Sequence, residues 1–432
     1  MYWNKPYECM PREQLEQLQS KRLVKLVERL YHNVPFYRTK LQERGLDPHH
    51  IKGLEDLNRL PFTRKTDLRD NYPYGLFAEP INNIVRIHAS SGTTGKPTVV
   101  GYTRNDLNNW SEIAARCLMA ASATKNSMIQ NAYGYGLFTG GLGIHGGAEK
   151  LGASIIPVSS GNTEKQLMLM KDFHTTHITC TPSYALYLAE SLKTYGIAIS
   201  DLQLKAGIFG AEPWSEKMRE EIEKRLHIKA YDIYGLSEIC GPGVGIECVE
   251  QKGMHIWEDQ FLMEIIDPVT EESLPLNTMG ELVITTLTKE GIPLLRYRTG
   301  DRTMIMDELC PCGRTHRKIQ RLVGRTDDMI IVRGVNVFPT QIESVLISTG
   351  HVTANYQLIV KREGILDKLE VRVELNEDQA IDSLEDLNAI ERKILQKIHG
   401  VLGIQVKLTL LEPGTLQRSE GKAQRLIDLR NI

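Results

Sequence analysis

Residues 88–98 read His-Ala-Ser-Ser-Gly-Thr-Thr-Gly-Lys-Pro-Thr, a turn crowded with hydroxyls and glycines that ends on Lys96. Glycine permits positive φ and lets the main chain approach a ligand closely. Exposed N–H groups and the hydroxyls of Ser90, Ser91, Thr93 and Thr94 can then wrap a polyphosphate. Gly92 and Gly95 stand too close together for a Walker A loop. The same composition also suits an ordinary polar hairpin turn. A second cluster points to different chemistry. Cys310-Pro-Cys312-Gly forms a knuckle-like turn, and Cys248 and His255 lie upstream. Three thiolates and an imidazole would complete a tetrahedral structural zinc site. Cys240 competes with Cys248 for the first position, although it follows Glu238 closely and is expected to face the other site. Free buried cysteines around a tight turn satisfy the same spacing.

Further along come Phe-Gly-Ala-Glu-Pro (209–213), Asp-Ile-Tyr-Gly-Leu-Ser-Glu (232–238), Tyr-Arg-Thr-Gly-Asp (297–301), Gly-Arg-Thr-Asp-Asp (324–328) and Gly-Lys-Ala-Gln-Arg (421–425). With the 88–98 loop, these motifs in this order resemble the adenylate-forming enzymes: acyl-CoA synthetases, nonribosomal adenylation domains and luciferases. The resemblance runs from about residue 5 to the C-terminus. It is closest to the phenylacetate–CoA ligases, through Tyr-Gly-Tyr-Gly-Leu-Phe-Thr-Gly-Gly at 133–141 and Arg-Gly-Val-Asn-Val-Phe-Pro at 333–339.

The resemblance implies ATP-dependent joining of an aryl acid, phenylacetate first among them, to coenzyme A through an acyl adenylate. Ser90, Ser91, Gly92, Thr93, Thr94, Gly95 and Lys96 would hold the phosphates. Glu238 would hold Mg²⁺, a hard ion that takes oxygen ligands. Tyr234 would stack on adenine against a wall of Gly210, Ala211 and Glu212, and Asp232, Gly235 and Ser237 complete that motif. Asp301 would accept both ribose hydroxyls, as a bidentate acceptor can, and Arg325 would reach ribose or phosphate. Lys422 would bridge carboxylate and α-phosphate as the catalytic cation. Tyr133, Tyr135, Gly136 and Phe138 would line an aryl pocket, with ordinary helix-entry packing as the bland alternative. Indoleacetate, benzoate and hydroxyphenyl acids stay open as substrates. Two other functions stay open as well: transfer of the acyl group to a carrier protein or another metabolite, and a non-catalytic nucleotide-binding sensor.

These residues need a scaffold to bring them together. Strand and helix patterns alternate from the 88–98 loop to about residue 226, which argues a doubly wound α/β fold with mostly parallel sheets. Ligands in such folds gather at the carboxyl ends of strands, where Phe209-Gly-Ala-Glu and Ile233-Tyr-Gly-Leu-Ser-Glu fall. From 261 the texture turns to β, and beyond Gly324-Arg-Thr-Asp-Asp a small α+β unit begins. The expected division is a large domain of residues 1–326, including a β-rich subdomain, and a mobile C-terminal lid of 327–432. Asp327 matches the family's hinge.

A chain of 432 residues suits such a pair of domains. The formal charge of −2 and pI near 6.7 give no electrostatic case for nucleic acid or an anionic membrane. The N-terminus lacks the apolar run of a signal peptide, so a cytoplasmic setting is expected. Seven cysteines in so long a chain do not suggest a disulfide framework. A homodimer is the family's implication.

Overall fold

In the computed structural model the order of elements follows the alternation read from the sequence. The structure describes residues 1–90, 97–325, 330–332, 335–363, 366–377, 383–419, 423 and 425–430. Near the start an amphipathic helix, Arg12–Asn33, buries Leu15, Leu23, Leu26, Val27 and Leu30 on one stripe.

A nine-stranded sheet forms the centre. From one edge it runs Ser154–Ile156, Met128–Asn131, His177–Cys180, Ala206–Gly210 and Lys229–Tyr234, all parallel. Antiparallel strands Gly245–Glu247, Met254–Ile256, Lys318–Ile319 and Ile305–Met306 extend it. The inner parallel strands His177–Cys180 and Ala206–Gly210 are buried along their whole length, as expected of strands covered on both faces. The edge strand stops at Ile156, one residue before Pro157, which has no N–H to donate to a ladder.

Local chemistry fixes where the covering helices start. Thr103 accepts from the N–H of Asp106 while Asp106 accepts from the N–H of Thr103, each at 3.0 Å, and this capping box opens helix Arg104–Ala120. Thr181 caps Pro182–Thr194 by accepting from the N–H of Tyr184 at 3.3 Å, with proline in the first turn. Helix Gly140–Leu151 packs against Arg104–Ala120 through small residues. A Cβ on Gly147 would lie 2.4 Å from that of Ala114, so the two backbones approach as only glycine allows.

A four-stranded antiparallel sheet of Phe261–Ile266, Gly280–Thr286, Tyr297–Thr303 and Gly324–Arg325 supplies the β-rich part. The hairpin of Arg86–Ala89 and Val99–Tyr102 stands apart as a two-stranded sheet. The last hundred residues build a separate sheet in the order Lys407–Leu411, Leu366–Leu375, Val352–Glu363, Leu426–Asp428. Helices Pro339–Ser348 and Leu384–Leu402 bury Ile342, Leu346, Ile394 and Ile398 with its strands in a core of their own. Among the described residues, no helix is long and apolar enough to cross a membrane.

Candidate active site

Strands Ala206–Gly210 and Lys229–Tyr234 end side by side, and a cleft opens beyond them. Its lining brings together Gly210, Ala211, Glu212, Asp232, Tyr234, Gly235, Asp301 and Arg325, all expected from the sequence. The turn that shapes it leaves no room for side chains. A Cβ on Gly235 would sit 1.9 Å from the carbonyl oxygen of Gly241, and one on Gly210 would sit 2.4 Å from that of Ile233. Ala211 takes a φ of 70°, an uncommon conformation for a residue with a Cβ.

Asp301 lies on strand Tyr297–Thr303 and is buried. Tyr234 donates its phenolic proton to Oδ2 at 2.7 Å, and Arg325 Nη1 donates to Oδ1 at 2.9 Å. Burial and the Asp301 charge push the Tyr234 phenol well up, so it stays a donor. Asp232 is also buried. Loss of hydration raises its carboxyl well above the usual range, and nearby Glu247 adds to the effect.

Glu238 sits in the turn that follows Tyr234. Tyr297 donates to its Oε1 at 2.6 Å. Lys289, itself buried, donates from Nζ to the carbonyl oxygens of Glu238 and Ile239, each at 2.9 Å. Its ammonium lies 4.8 Å over the ring of Tyr102, and burial lowers its pKa. Ser237 pairs its hydroxyl with that of Thr139 at 3.0 Å, and its carbonyl accepts from the Tyr102 phenol at 3.3 Å. The carboxylate therefore hangs from a turn tied down at several points. Lys289 and Tyr102 carried no motif by which to be singled out. Tyr297 stood inside a quoted motif and was passed over for its neighbour Asp301.

Ser90 closes the base of the 86–102 hairpin: its N–H donates to Thr98 O at 3.0 Å and its hydroxyl accepts from Thr98 N–H at 3.3 Å. Ser91, Gly92, Thr93, Thr94, Gly95 and Lys96 lie outside the described residues, as do Asp327 and Lys422. The hairpin base is tied to the loop expected to hold the acid. Leu137 O accepts from Ala89 N–H at 3.0 Å and from His88 Nδ1 at 2.9 Å. Within that loop Tyr133 is buried, with its phenol on Cys180 O at 2.6 Å. Tyr135 bonds Asn131 Nδ2 at 2.8 Å and His145 Nδ1 at 3.2 Å. Gly136 and Phe138 are exposed, and the space beside Gly136 is open.

Away from the cleft, one ligand atom each from Cys248, His255, Cys310 and Cys312 falls within 4.8 Å of the others. Cys248 Sγ is 3.6 Å from Cys310 Sγ, and His255 Nε2 is 3.4 Å from Cys312 Sγ. His255 Nδ1 donates to His316 O at 2.8 Å, which fixes the tautomer and leaves Nε2 free to bind. Hydrogen bonds from Cys248 and His255 hold the Cys312 thiol well below the ordinary range. Cys240 is elsewhere, buried beside Tyr102 and Lys289, so Cys248 takes the first position.

A model of the family described as AMP-binding enzyme matches residues 15–288, and one described as AMP-binding enzyme C-terminal domain matches 334–430. A phenylacetate–coenzyme A ligase of Thermus thermophilus is 53% identical over 444 aligned positions, covering 100% of both chains. One from Escherichia coli is 49% identical, covering 99% of this chain and 98% of its own. Among solved structures, 2-hydroxyisobutyryl-CoA ligase in its postadenylation state with R3-HIB-AMP superposes with a TM-score of 0.93 at 28% identity, covering 99% of this chain and 92% of that one. The same ligase with 2-HIB-AMP and CoA in the thioesterification state gives 0.73 over 100% of this chain and 93% of that one. With both family models matched and full-length relatives near half identity, the chain belongs to the phenylacetate–coenzyme A ligase family of adenylate-forming enzymes, and is an acid–thiol ligase that couples ATP to thioester formation through an acyl adenylate.

Proposed function

We propose that the acid is phenylacetate or a close aryl relative, taken up between Tyr133, Tyr135, Gly136 and Phe138. The observation that carries the site assignment is the convergence of Tyr234, Asp301 and Arg325 on one cleft whose wall residue Glu212 also binds the residue after Lys422. Glu212 Oε2 accepts from the N–H of Ala423 at 3.0 Å.

A carboxylate cannot be attacked by a thiol at neutral pH, because oxide would have to leave. In the first half-reaction a carboxylate oxygen of the acid attacks the α-phosphorus of ATP and pyrophosphate departs. In the second, the thiolate of coenzyme A attacks the acyl carbon and AMP departs. The chain supplies position and charge for both. Tyr234 and the 210–212 wall hold adenine, with Asp232, Gly235 and Ser237 shaping the turn. Asp301 and Arg325 hold the ribose. Ser90 to Lys96 cradle the phosphates. Glu238 holds Mg²⁺, which supplies positive charge to the phosphate oxygens. Lys422 neutralises charge between carboxylate and α-phosphate as they meet.

The same reading divides the chain into domains 1–326 and 327–432, hinged at Asp327. The change of core between Ile319 and Ile330 supports that division. Cys248, His255, Cys310 and Cys312 hold a structural zinc, whose binding energy is folding energy. A homodimer belongs to this reading too, and sedimentation at working concentration tests it.

The deciding experiment is pyrophosphate release across a panel of aryl and fatty acids, with and without coenzyme A. Phenylacetate should head the panel, and AMP release should require coenzyme A. AMP release that needs a carrier protein instead would change the acceptor. ATP binding without turnover of any acid would leave a nucleotide sensor.

A further inference from the structure

The C-terminal unit carries a buried ion pair that also reaches across to the large unit, while the Tyr356 phenol donates to Glu343 Oε2 at 3.4 Å from within the C-terminal unit. Glu343, on helix Pro339–Ser348, is fully buried. Its Oε2 accepts from Arg425 Nη1, and the Arg425 guanidinium lies 4.5 Å over the ring of Tyr356. Both partners therefore belong to one unit and neutralise each other there. Across the boundary, Glu343 Oε1 accepts from the N–H of Ser215 at 2.9 Å. Arg425 Nη2 donates to the hydroxyl of Ser183 at 2.9 Å. Ser183 in turn donates to Glu212 from its N–H at 2.8 Å and from its hydroxyl. Glu212 closes the circuit on the N–H of Ala423.

We propose that Glu343 and Arg425 are positioning residues that latch the 423–425 segment onto the large domain for adenylate formation, and release it as an intact pair for thioester formation. The proposal rests on the reading that Lys422, next to Ala423 in the chain, serves the first half-reaction. Its physical appeal lies in reversibility. Opening breaks hydrogen bonds of modest net worth and strands no lone charge, because carboxylate and guanidinium travel together. A latch built from an ion pair split between the units would leave each charge unpaired on opening, a far larger penalty. The chain as described superposes better on a related ligase in its postadenylation state than in its thioesterification state, at 0.93 against 0.73.

Single-turnover assays of the separate halves in the full-length enzyme test this. Glu343→Gln removes the charge that anchors Arg425, and Ser183→Ala removes the cross-domain acceptor of Arg425 Nη2 while leaving the Glu343–Arg425 ion pair in place. Each should slow adenylate formation from ATP and phenylacetate about tenfold or more. Thioester formation from supplied phenylacetyl adenylate and coenzyme A should be unchanged or faster. Arg425→Lys should restore little, since an ammonium cannot span both partners in the planar fork. Equal slowing of both halves by Ser183→Ala would reduce the network to general stability and overturn the proposal. So would wild-type adenylation rates in both variants. Lys422→Ala run alongside separates the two claims. If it abolishes adenylation while Glu343→Gln and Ser183→Ala do not, the latch alone fails. If Lys422→Ala leaves adenylation intact, the lysine reading falls and the latch with it.

Discussion

The phenol of Tyr297 donates to the carboxylate of Glu238 at 2.6 Å, and both residues are buried. A carboxylate that is to hold a hard cation must point one oxygen at it without swinging. Tyr297 occupies the other. Tyr297→Phe keeps the ring and removes the donor. A hydrogen bond to a charged group is worth about 1.5–3 kcal/mol, so half-saturation by Mg²⁺ should rise about tenfold, with the KM for the acid little changed. Initial rates across a magnesium titration check this. Superposable titrations for variant and wild type would mean that the phenol does not hold Glu238 in place.

Gly136 offers a test of the acid site that leaves the protein undisturbed. A Cβ there meets nothing within 4 Å, and no positive φ is recorded for that glycine, so Gly136→Val strains neither backbone nor neighbours. If the loop lines the aryl pocket, the added methyls occupy ring space. The expected result is a KM for phenylacetate raised about tenfold or more, since a lost methylene-sized fit in an apolar pocket costs about 1–3 kcal/mol. ATP binding should not change. Unaltered kinetics with phenylacetate would take this loop out of the pocket.

Metal analysis addresses the four-ligand cluster. Protein purified without added zinc should carry about one zinc per chain, and Cys312→Ser should lose it and melt earlier. His316 O, which orients His255, would lose its purpose in the same variant. Stable wild-type protein with no bound metal would overturn the assignment.

In the interior of the large unit, Arg116 and Asp259 form an ion pair at 2.8 Å with almost no exposure of either side chain. Burial opposes ionisation of Asp259, but Arg116 and His316, with hydrogen bonds from Arg116 and Gln260, outweigh it and hold the carboxyl below its usual range. A depressed folded-state pKa means that this stabilisation is full above the unfolded value, near pH 4, and fades as the pH falls further. Arg116→Met should cost about 3–5 kcal/mol by leaving a buried charge unpaired. Asp259→Asn should flatten the acid limb of stability. Melting curves between neutral pH and about pH 3 read both effects.

The parts of the site that were legible in the sequence are those where glycine or charge must recur at fixed spacing. Gly210, Gly235 and Asp301 are constrained by their own geometry, so the motif is the mechanism. The alternation of strands and helices up to residue 226 was legible because the helices between the strands, ten residues or longer, show their period and leave short apolar runs between them. The antiparallel extension from Gly245 to Ile319 was not, because its strands are two or three residues long and show no period at all. Lys289 and Tyr102 were hidden for another reason. They act on main-chain carbonyls, which accept from any donor that arrives, so no residue pattern near Glu238 announces them.

One constraint follows from how the chain ends its last crossing. Ala423 is tethered to Glu212, while Leu426 begins a parallel pairing with Leu358 and Arg425 O accepts from Leu358 N–H at 2.7 Å. The two anchors are three positions apart. One inserted residue would displace them relative to each other by about 3.3 Å and exchange the faces of the strand. Length is held here as tightly as the identity of Arg425: the spacing acts as a ruler that sets where Ala423 falls on the large unit.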